Sequence, residues 1–383
     1  MKVLFVAHSG ETGCGANRSL LTLMAALRQR YGVEPCLLVP GEGTPLSRRC
    51  AELNIPVYAG KYHTCCTVFR RTPKDMLRAA KLLLAPALDA LEARRLNSLL
   101  PGGFDLYYTN DRMACVGAYL ARLRGRPHVW HVRSFSREMR TFFPLRWYRR
   151  MDRYADRIVL VSRALYEDFA RHIPPDKLRT VYNGLKLSLY ALDERKAHRG
   201  FRLLLAGRIT PAKGIEDAVR ALDILVNRYG ADAYLSIAGQ TPAYEGQGYA
   251  RRLHALAARL GLQNRVRFLG EVSDLRPVRA ETDAELVCSW KEPFGRTTVE
   301  AMMTGLPVVG TDAGGTAEII RNGETGLLYP PRDYAALAEK LKWLWEHPGK
   351  AMEMGRAGKE RAIAYFTDRL LADRVMEVLH ELC

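Results

Sequence analysis

The chain has 383 residues, 48% of them hydrophobic and 26% charged, which is enough to bury one or two cores and excludes a disordered chain. Lys and Arg number 58 against 41 Asp and Glu, a net charge of +17. That balance suits an anionic partner (a nucleotide phosphate, a nucleic acid or an acidic membrane surface) as well as it suits a solvated basic surface.

The apolar opening at 1–8 is too short for a secretory leader and runs into a Gly-rich turn, so it reads as a first buried strand. Short apolar strands then alternate with longer amphipathic segments, the pattern of parallel sheets under covering helices. Strands are predicted at 2–7, 35–39, 106–109, 128–132 and 157–161, with helices at 18–30, 74–100 and 163–170. Pro86 lacks a backbone donor and is expected to interrupt the second of these helices. A polar, weakly patterned stretch at 183–200 follows. The alternation restarts with strands at 201–206, 233–238, 265–269, 284–288 and 307–310, and helices at 214–229, 248–260, 295–303, 333–346 and 367–382. The expected fold class is α/β, with two doubly wound domains at 1–185 and 200–365 and a terminal helix at 366–383 packing back toward the first. In such folds ligands sit beyond the carboxyl ends of the strands, here in a cleft between the domains. No stretch approaches the ~18 apolar residues of a membrane-spanning helix. Eight cysteines without a Cys-x-x-Cys pair, several inside apolar runs, argue against disulfides and structural zinc and for a reducing, cytoplasmic setting.

The most informative segment runs from Ser289 to Met302, with Glu292 just before a helix and Glu300 inside its second turn. Gly295 permits close backbone approach, and the amides of Arg296, Thr297 and Thr298 open the helix as an anion site. Carboxylates there suit sugar or ribose hydroxyls, which need acceptors, although two glutamates at this spacing also suit a solvated helix. Arg208 and Lys213 precede the helix at 214–229, where two cations add to the field of a helix start; they also suit a solvated surface. Gly13 and Gly15 lie between the first strand and first helix. They make a weak dinucleotide fingerprint, because the second strand ends in Val39-Pro40 and lacks an acidic residue for ribose. His131 stands at a strand end, where it either packs or faces the cleft, and His128 reads as structural. On a strand the two point to opposite faces, which excludes a shared zinc.

Two stretches are strongly basic, 74–100 and 134–153. The second interleaves Phe135, Phe142, Phe143, Trp147 and Tyr148 with Arg146, Arg149 and Arg150. They suit either an anionic membrane surface or lipid-phosphate acceptor, at the inner face of a membrane, or a helical hairpin over the first sheet.

These segments resemble the family 4 glycosyltransferases, retaining enzymes of the GT-B fold. The likeness is most specific from Ser289 through Gly305-Leu306-Pro307, Gly314-Gly315-Thr316-Ala317-Glu318 and Asn322-Gly323-Glu324-Thr325-Gly326 to Pro330; Cys288 stands where many members have proline. Ala206 to Gly214 resembles the family's strand-end loop, and Val181-Tyr182-Asn183-Gly184 its turn at the end of the first domain. Gly10 to Leu20 resembles its Gly-rich loop, with Cys14 parting glycines that most members carry side by side. The resemblance implies transfer of a sugar from a nucleoside diphosphate sugar, UDP in preference to GDP, to a glycan, lipid-linked or small-molecule hydroxyl, in making cell-surface polysaccharide or glycolipid. It implies that Arg208 and Lys213 grip the diphosphate, that the amides at 295–298 and Glu300 hold the nucleotide, and that the base rests near Val272. Glu292 and His131 would contact the donor sugar, and Gly15 would face the phosphate.

For a retaining enzyme with no evident protein nucleophile, the expected route is same-face attack, the leaving diphosphate taking the acceptor proton. No Asp-x-Asp occurs, and neither a metal nor another cofactor is expected. A GT-B sugar-nucleotide epimerase would share the nucleotide cleft. A nucleic-acid-binding protein would fit the charge, but no helix-turn-helix, finger or aromatic RNA-binding signature occurs, so no nucleic-acid partner is expected.

Overall fold

The computed structural model describes residues 1–63, 73–135, 144–192, 194–243 and 245–383, with the side chains of 73–83 and 144–145 left aside. Cys65, Cys66, Phe142 and Phe143 lie outside the described residues. The chain divides into two compact units, Met1–Gly184 with Asp368–Cys383, and Leu185–Thr367.

In the first unit, β1 (Lys2–Ala7), β2 (Glu34–Pro40), β3 (Val57–Gly60), β4 (Leu106–Asn110), β5 (His128–Val132), β6 (Arg157–Leu160) and β7 (Leu178–Thr180) form one sheet in the order β3-β2-β1-β4-β5-β6-β7. Every pairing is parallel. Side chains alternate along β1, and both sets are apolar: Val3, Phe5 and Ala7 enter one core, Leu4 and Val6 another. A strand buried on both faces reads as an unbroken apolar run, which is why these strands stand out in the sequence. Helices Gly15–Tyr31 and Asp368–His380 cover the first face through Leu20, Leu23, Leu27, Leu371, Val375 and Leu379. Helices Pro73–Leu99 and Val116–Arg124 cover the other through Ala93, Leu96, Val116 and Leu120.

Pro86 does not interrupt its helix, which runs unbroken from Pro73 to Leu99. The lost hydrogen bond costs about 3 kcal/mol. Burial of Ala85, Asp89, Ala93 and Leu96 on either side of Pro86 outweighs it, since packing supplies most helical stability in proteins. The aromatics of the second basic stretch also depart from a lipid-facing role. Phe135, Trp147 and Tyr148 are buried, Trp147 packing on Trp130 and Tyr148 stacking on His172, while Arg146 and Arg149 of helix Pro144–Tyr154 point outward.

In the second unit, β8 (Phe201–Ala206), β9 (Ala233–Ala238), β10 (Val266–Gly270), β11 (Ala284–Val287), β12 (Val308–Thr311) and β13 (Leu327–Tyr329) form a parallel sheet in the order β10-β9-β8-β11-β12-β13. Leu203 and Leu205 of β8 meet Ile215, Val219 and Leu222 of helix Ile215–Asp223 in its main core. In both sheets the first strand lies between the second and fourth, so the chain reverses its direction of progress there and leaves a crevice at the carboxyl ends. Among the described residues six cysteines are free thiols, and no helix is long and apolar enough to cross a membrane.

Candidate active site

At the carboxyl end of β8 the chain turns through Gly207, Arg208 and the single turn Pro211–Lys213 to Gly214, whose φ of 61° opens helix Ile215–Asp223. A Cβ on Gly214 would lie 2.0 Å from the Cys288 carbonyl oxygen, so only glycine lets this loop press against the end of β11. The Trp290 amide donates to the Ala212 carbonyl at 3.1 Å and fixes the same contact. This register brings the Lys213 ammonium into an ion pair with Glu292, and the Ser289 hydroxyl donates to the same carboxylate oxygen at 2.6 Å. Burial pushes the Glu292 carboxyl up, yet Lys213, Ser289 and the charge of Arg208 together hold it below its ordinary value. Arg208 itself is exposed.

Gly295 (φ 105°) starts helix Arg296–Met303. Thr298 is wholly buried beneath that turn, and its hydroxyl has no hydrogen-bond partner among the described residues. Thr297 and Arg296 are half-buried. Glu300 is buried and already engaged: the Tyr190 hydroxyl donates to it at 3.3 Å, Arg296 at 3.4 Å, and Arg279 stands 3.6 Å away. Arg279 in turn pairs with Glu285 at 2.8 and 2.9 Å, both side chains almost wholly enclosed. Val272 sits half-buried in the loop that follows β10.

In the first unit, Gly15 is exposed as the first residue of its helix. The loop before it is tied by the buried Asn17, whose amide donates to the carbonyls of Ser9 at 3.0 Å and Glu11 at 2.7 Å. Asn110, at the end of β4, donates to the Ala16 carbonyl at 3.2 Å and accepts from Arg133 Nε at 2.6 Å. A second nitrogen of Arg133 is hydrogen-bonded to Asn183, and a third lies 3.1 Å from His131 Nδ1. His131 is fully buried, with the Tyr108 hydroxyl 2.6 Å from Nδ1 and no hydrogen-bond partner at Nε2. Burial and the Arg133 charge hold the ring well below the ordinary histidine pKa. Burial lowers His128 to about 3, and its ring nitrogens meet Thr109 and the Tyr154 carbonyl.

The structure therefore joins Arg208, Lys213 and Glu292 at one strand end and Arg296 with Glu300 one helical turn further on, while His131 and Gly15 belong to the first unit and are linked through Arg133 and Asn110. Sequence reasoning missed Ser289, Tyr190, Arg279, Glu285 and Arg133. Glu285 did carry a signal, as a charge inside an apolar strand. Tyr190 and Arg133 acquire meaning through contacts 110 and 50 positions away, whereas Ser289 and Arg279 meet Glu292 and Glu285 three and six positions away. No cluster of three His, Cys, Asp or Glu among the described residues could hold a metal ion.

Two parallel Rossmann-like sheets, each with a Gly-rich turn after its first strand, and a Lys–Glu cluster at the strand ends of the second place the chain in the GT-B class. Residues 13–189 match Glycosyltransferase Family 4, residues 193–361 match Glycosyl transferases group 1, and the chain belongs to the family 4 glycosyltransferases. Among solved structures, HepE of Anabaena in complex with UDP is similar over 100% of both chains, at 26% identity and a TM-score of 0.82; it is also solved with UDP-glucose. The N-acetyl-alpha-D-glucosaminyl L-malate synthase of Bacillus anthracis is 26% identical over 82% of this chain and 81% of its own. The glycogen synthase of Mycobacterium tuberculosis is 28% identical over 59% of this chain and 54% of its own. The chain spans about half the length of the first curated relatives it matches.

Proposed function

We propose that the chain is a retaining, metal-independent glycosyltransferase that moves a sugar from a UDP-sugar to a hydroxyl acceptor. The observation that carries this reading is the Lys213–Glu292–Ser289 cluster, with Arg208 on the same loop and the amides of helix Arg296–Met303 close in sequence. Two cations and a helix start offset the charge of a departing diphosphate, the part a divalent metal plays elsewhere. The similarity to HepE, solved with UDP and with UDP-glucose, supports a uridine donor. In the proposed reaction the acceptor oxygen bonds to the anomeric carbon on the face from which the diphosphate leaves. As that carbon–oxygen bond breaks, the acceptor proton passes to a phosphate oxygen. Glu292 and His131 orient the sugar, Glu300 accepts from ribose hydroxyls, Gly15 faces the phosphate, and Val272 borders the base.

A panel of nucleotide sugars assayed by thermal shift identifies the donor, because ligands that bind the native state raise its midpoint. The product's anomeric configuration then reports retention, and activity should persist in excess EDTA while Arg208→Ala or Lys213→Ala nearly abolishes it. Activity that dies in EDTA and revives with magnesium or manganese would contradict this account. Turnover of the nucleotide sugar to its epimer without any acceptor would favour the epimerase reading instead.

A membrane-borne acceptor is favoured by one surface. Leu84, Leu88 and Leu91 on helix Pro73–Leu99 are 59%, 40% and 60% exposed at i, i+4, i+7 spacing. The acids Asp89 and Glu92 turn inward, and Arg94 and Arg95 point outward beside the stripe. An apolar stripe beside Arg94, with Arg95 held by Glu92 at 2.6 and 2.8 Å, fits an anionic bilayer, where a cation near the surface contributes about 1 kcal/mol. The chain should co-sediment with anionic liposomes at low salt, and Leu88→Glu with Leu91→Glu should release it; failure of the unmodified chain to sediment removes the membrane from the proposal.

A further inference from the structure

His128 and His131 lie three residues apart on β5, face opposite ways and differ in hydrogen-bond state. His128 is complete: its Nδ1 is 3.1 Å from the Tyr154 carbonyl, which can only accept, and its Nε2 is 2.8 Å from the Thr109 hydroxyl. His131 is half complete. Its Nδ1 lies 3.1 Å from an Arg133 nitrogen and 2.6 Å from the Tyr108 hydroxyl, while its buried Nε2 has no hydrogen-bond partner among the described residues. A guanidinium has donors and no acceptor, so Nδ1 must be the bare nitrogen and the one proton of the neutral ring rests on Nε2. A proton on Nδ1 would confront an Arg N–H at contact distance inside a buried site. Arg133 is itself held on two further sides, by Asn110 from β4 and by Asn183 from the turn that ends the first unit's sheet. The Tyr182-Asn183-Gly184 turn thereby acts on the histidine at one remove, since the Asn183 side chain fixes the guanidinium fork that fixes the ring.

We propose that Arg133, together with Tyr108, is a positioning residue that locks His131 as the Nε2–H tautomer, so that His131 serves glycosyl transfer as a hydrogen-bond donor to a substrate oxygen and never as a base. The proposal rests on the reading of His131 as a sugar contact. It adds which of the ring's two chemistries is used and what selects it. The titratable groups that face the ring are Tyr108 from β4 and Arg133 from its own strand's end; across the pairing with β6 its register partner is the apolar Val159. Neither neighbour releases its proton near neutrality, so the tautomer should hold throughout the working pH range.

The test is a long-range proton–nitrogen correlation spectrum of the full chain labelled with 15N-histidine, recorded from about pH 5 to about pH 9. The expected result is a protonated-type Nε2 and a bare-type Nδ1 for His131 that do not titrate, assigned by their loss in His131→Ala. Arg133→Lys should keep the tautomer. Arg133→Met with Tyr108→Phe should mix the two tautomers and lower kcat about tenfold, the loss of roughly one hydrogen bond, with the donor KM changed far less. Tyr108→Phe alone, the milder change, should give a smaller effect in the same direction if the double variant does not fold. A proton on Nδ1, a titration of His131 inside that range, or a folded double variant with unchanged tautomer and kcat overturns the proposal. So does an intact tautomer with His131→Ala at full kcat. Because the spectrum needs no substrate, absence of glycosyl transfer with the expected spectrum counts against the activity reading alone.

Discussion

Glu300 is a buried carboxylate with three polar side chains around it. Tyr190 and Arg296 approach one of its oxygens at 3.3 and 3.4 Å, and Arg279 stands 3.6 Å from the other. A ribose that binds there meets an acceptor already oriented, at the cost of sharing it with Tyr190 or Arg296. Glu300→Ala should therefore weaken nucleoside diphosphate binding by on the order of 1.5–3 kcal/mol, the range for hydrogen bonds to charged groups. Calorimetric titration measures this, and an unchanged affinity removes Glu300 from the site. Arg279→Leu should behave differently. It strands Glu285 and removes the cation between Glu285 and Glu300, so its main effect should be a stability loss of about 3–5 kcal/mol read by denaturant unfolding. The carboxylates and cations at 208, 213, 292 and 300 stood out in the sequence through the family resemblance of the segments that carry them, since by themselves they suited a solvated surface as well. Their keepers were not legible. Tyr190 lies 110 positions from Glu300, and Arg133 lies 50 from Asn183, distances at which no periodicity operates.

At the scale of elements, helix Asp368–His380 is the outer layer of the first unit although the whole second unit separates it in sequence from the rest. Leu371, Val375 and Leu379 bury against Leu20, Leu23 and Leu27, and charge pins the helix near its middle, at Asp373, and just past its end, at Glu381. Arg30 and Tyr31 reach Asp373 at 2.8 and 2.7 Å, while Arg157 and Arg179 hold Glu381 at 2.6 and 2.7 Å. These exposed pairs contribute little, and burial carries the docking. Leu379→Ala should cost the first unit roughly 2–5 kcal/mol, as for other buried leucines, whereas Asp373→Asn should cost less than about 1 kcal/mol in the same unfolding assay. Equal losses would mean that charge and not packing holds the helix. The sequence showed this helix, and ten of the strands, because apolar runs and 3.6-residue spacing survive where both faces of a sheet are covered. It did not show β3, β7 or β13, which have four, three and three residues and lie at sheet edges. Nor did it show helix Pro348–Tyr365, which carries three glycines. One of them, Gly355, lets the helix approach so closely that a Cβ would lie 2.2 Å from the Gly305 carbonyl oxygen. Propensity argues against that helix, and tertiary contact forms it.

For the molecule as a whole, the buried histidines set how stability responds to acid. His128 and His131 are both held neutral by burial, His128 to about pH 3 and His131 well below its ordinary value. Once unfolded, each titrates near 6.5. Between these limits the unfolded chain binds protons that the folded chain refuses, so stability is full above about pH 6.5 and falls as the pH drops, by up to ~1.4 kcal/mol per pH unit for each ring. His8 has its pKa raised, so below about 6.5 it is protonated in both states and adds no slope to this window. Carboxylates with lowered values, Glu292, Asp373 and Glu381 (to about 2), carry the same sign but act only once the unfolded groups begin to protonate, below about pH 4.5. Between about 6.5 and 4.5 the two histidines, both in the first unit, cost stability as the pH drops, whereas Glu285 and Asp217 of the second unit, pushed up by burial, act with the opposite sign. Urea unfolding at successive pH values should show the first unit losing stability over that range while the second holds, so that one transition separates into two. His128→Gln retains one donor for the Tyr154 carbonyl and one acceptor for Thr109 and cannot take up a proton. It should cut the pH slope of the first unit to about half, the share of one proton in two. A slope unchanged by that substitution would show that the acid sensitivity resides elsewhere in the chain.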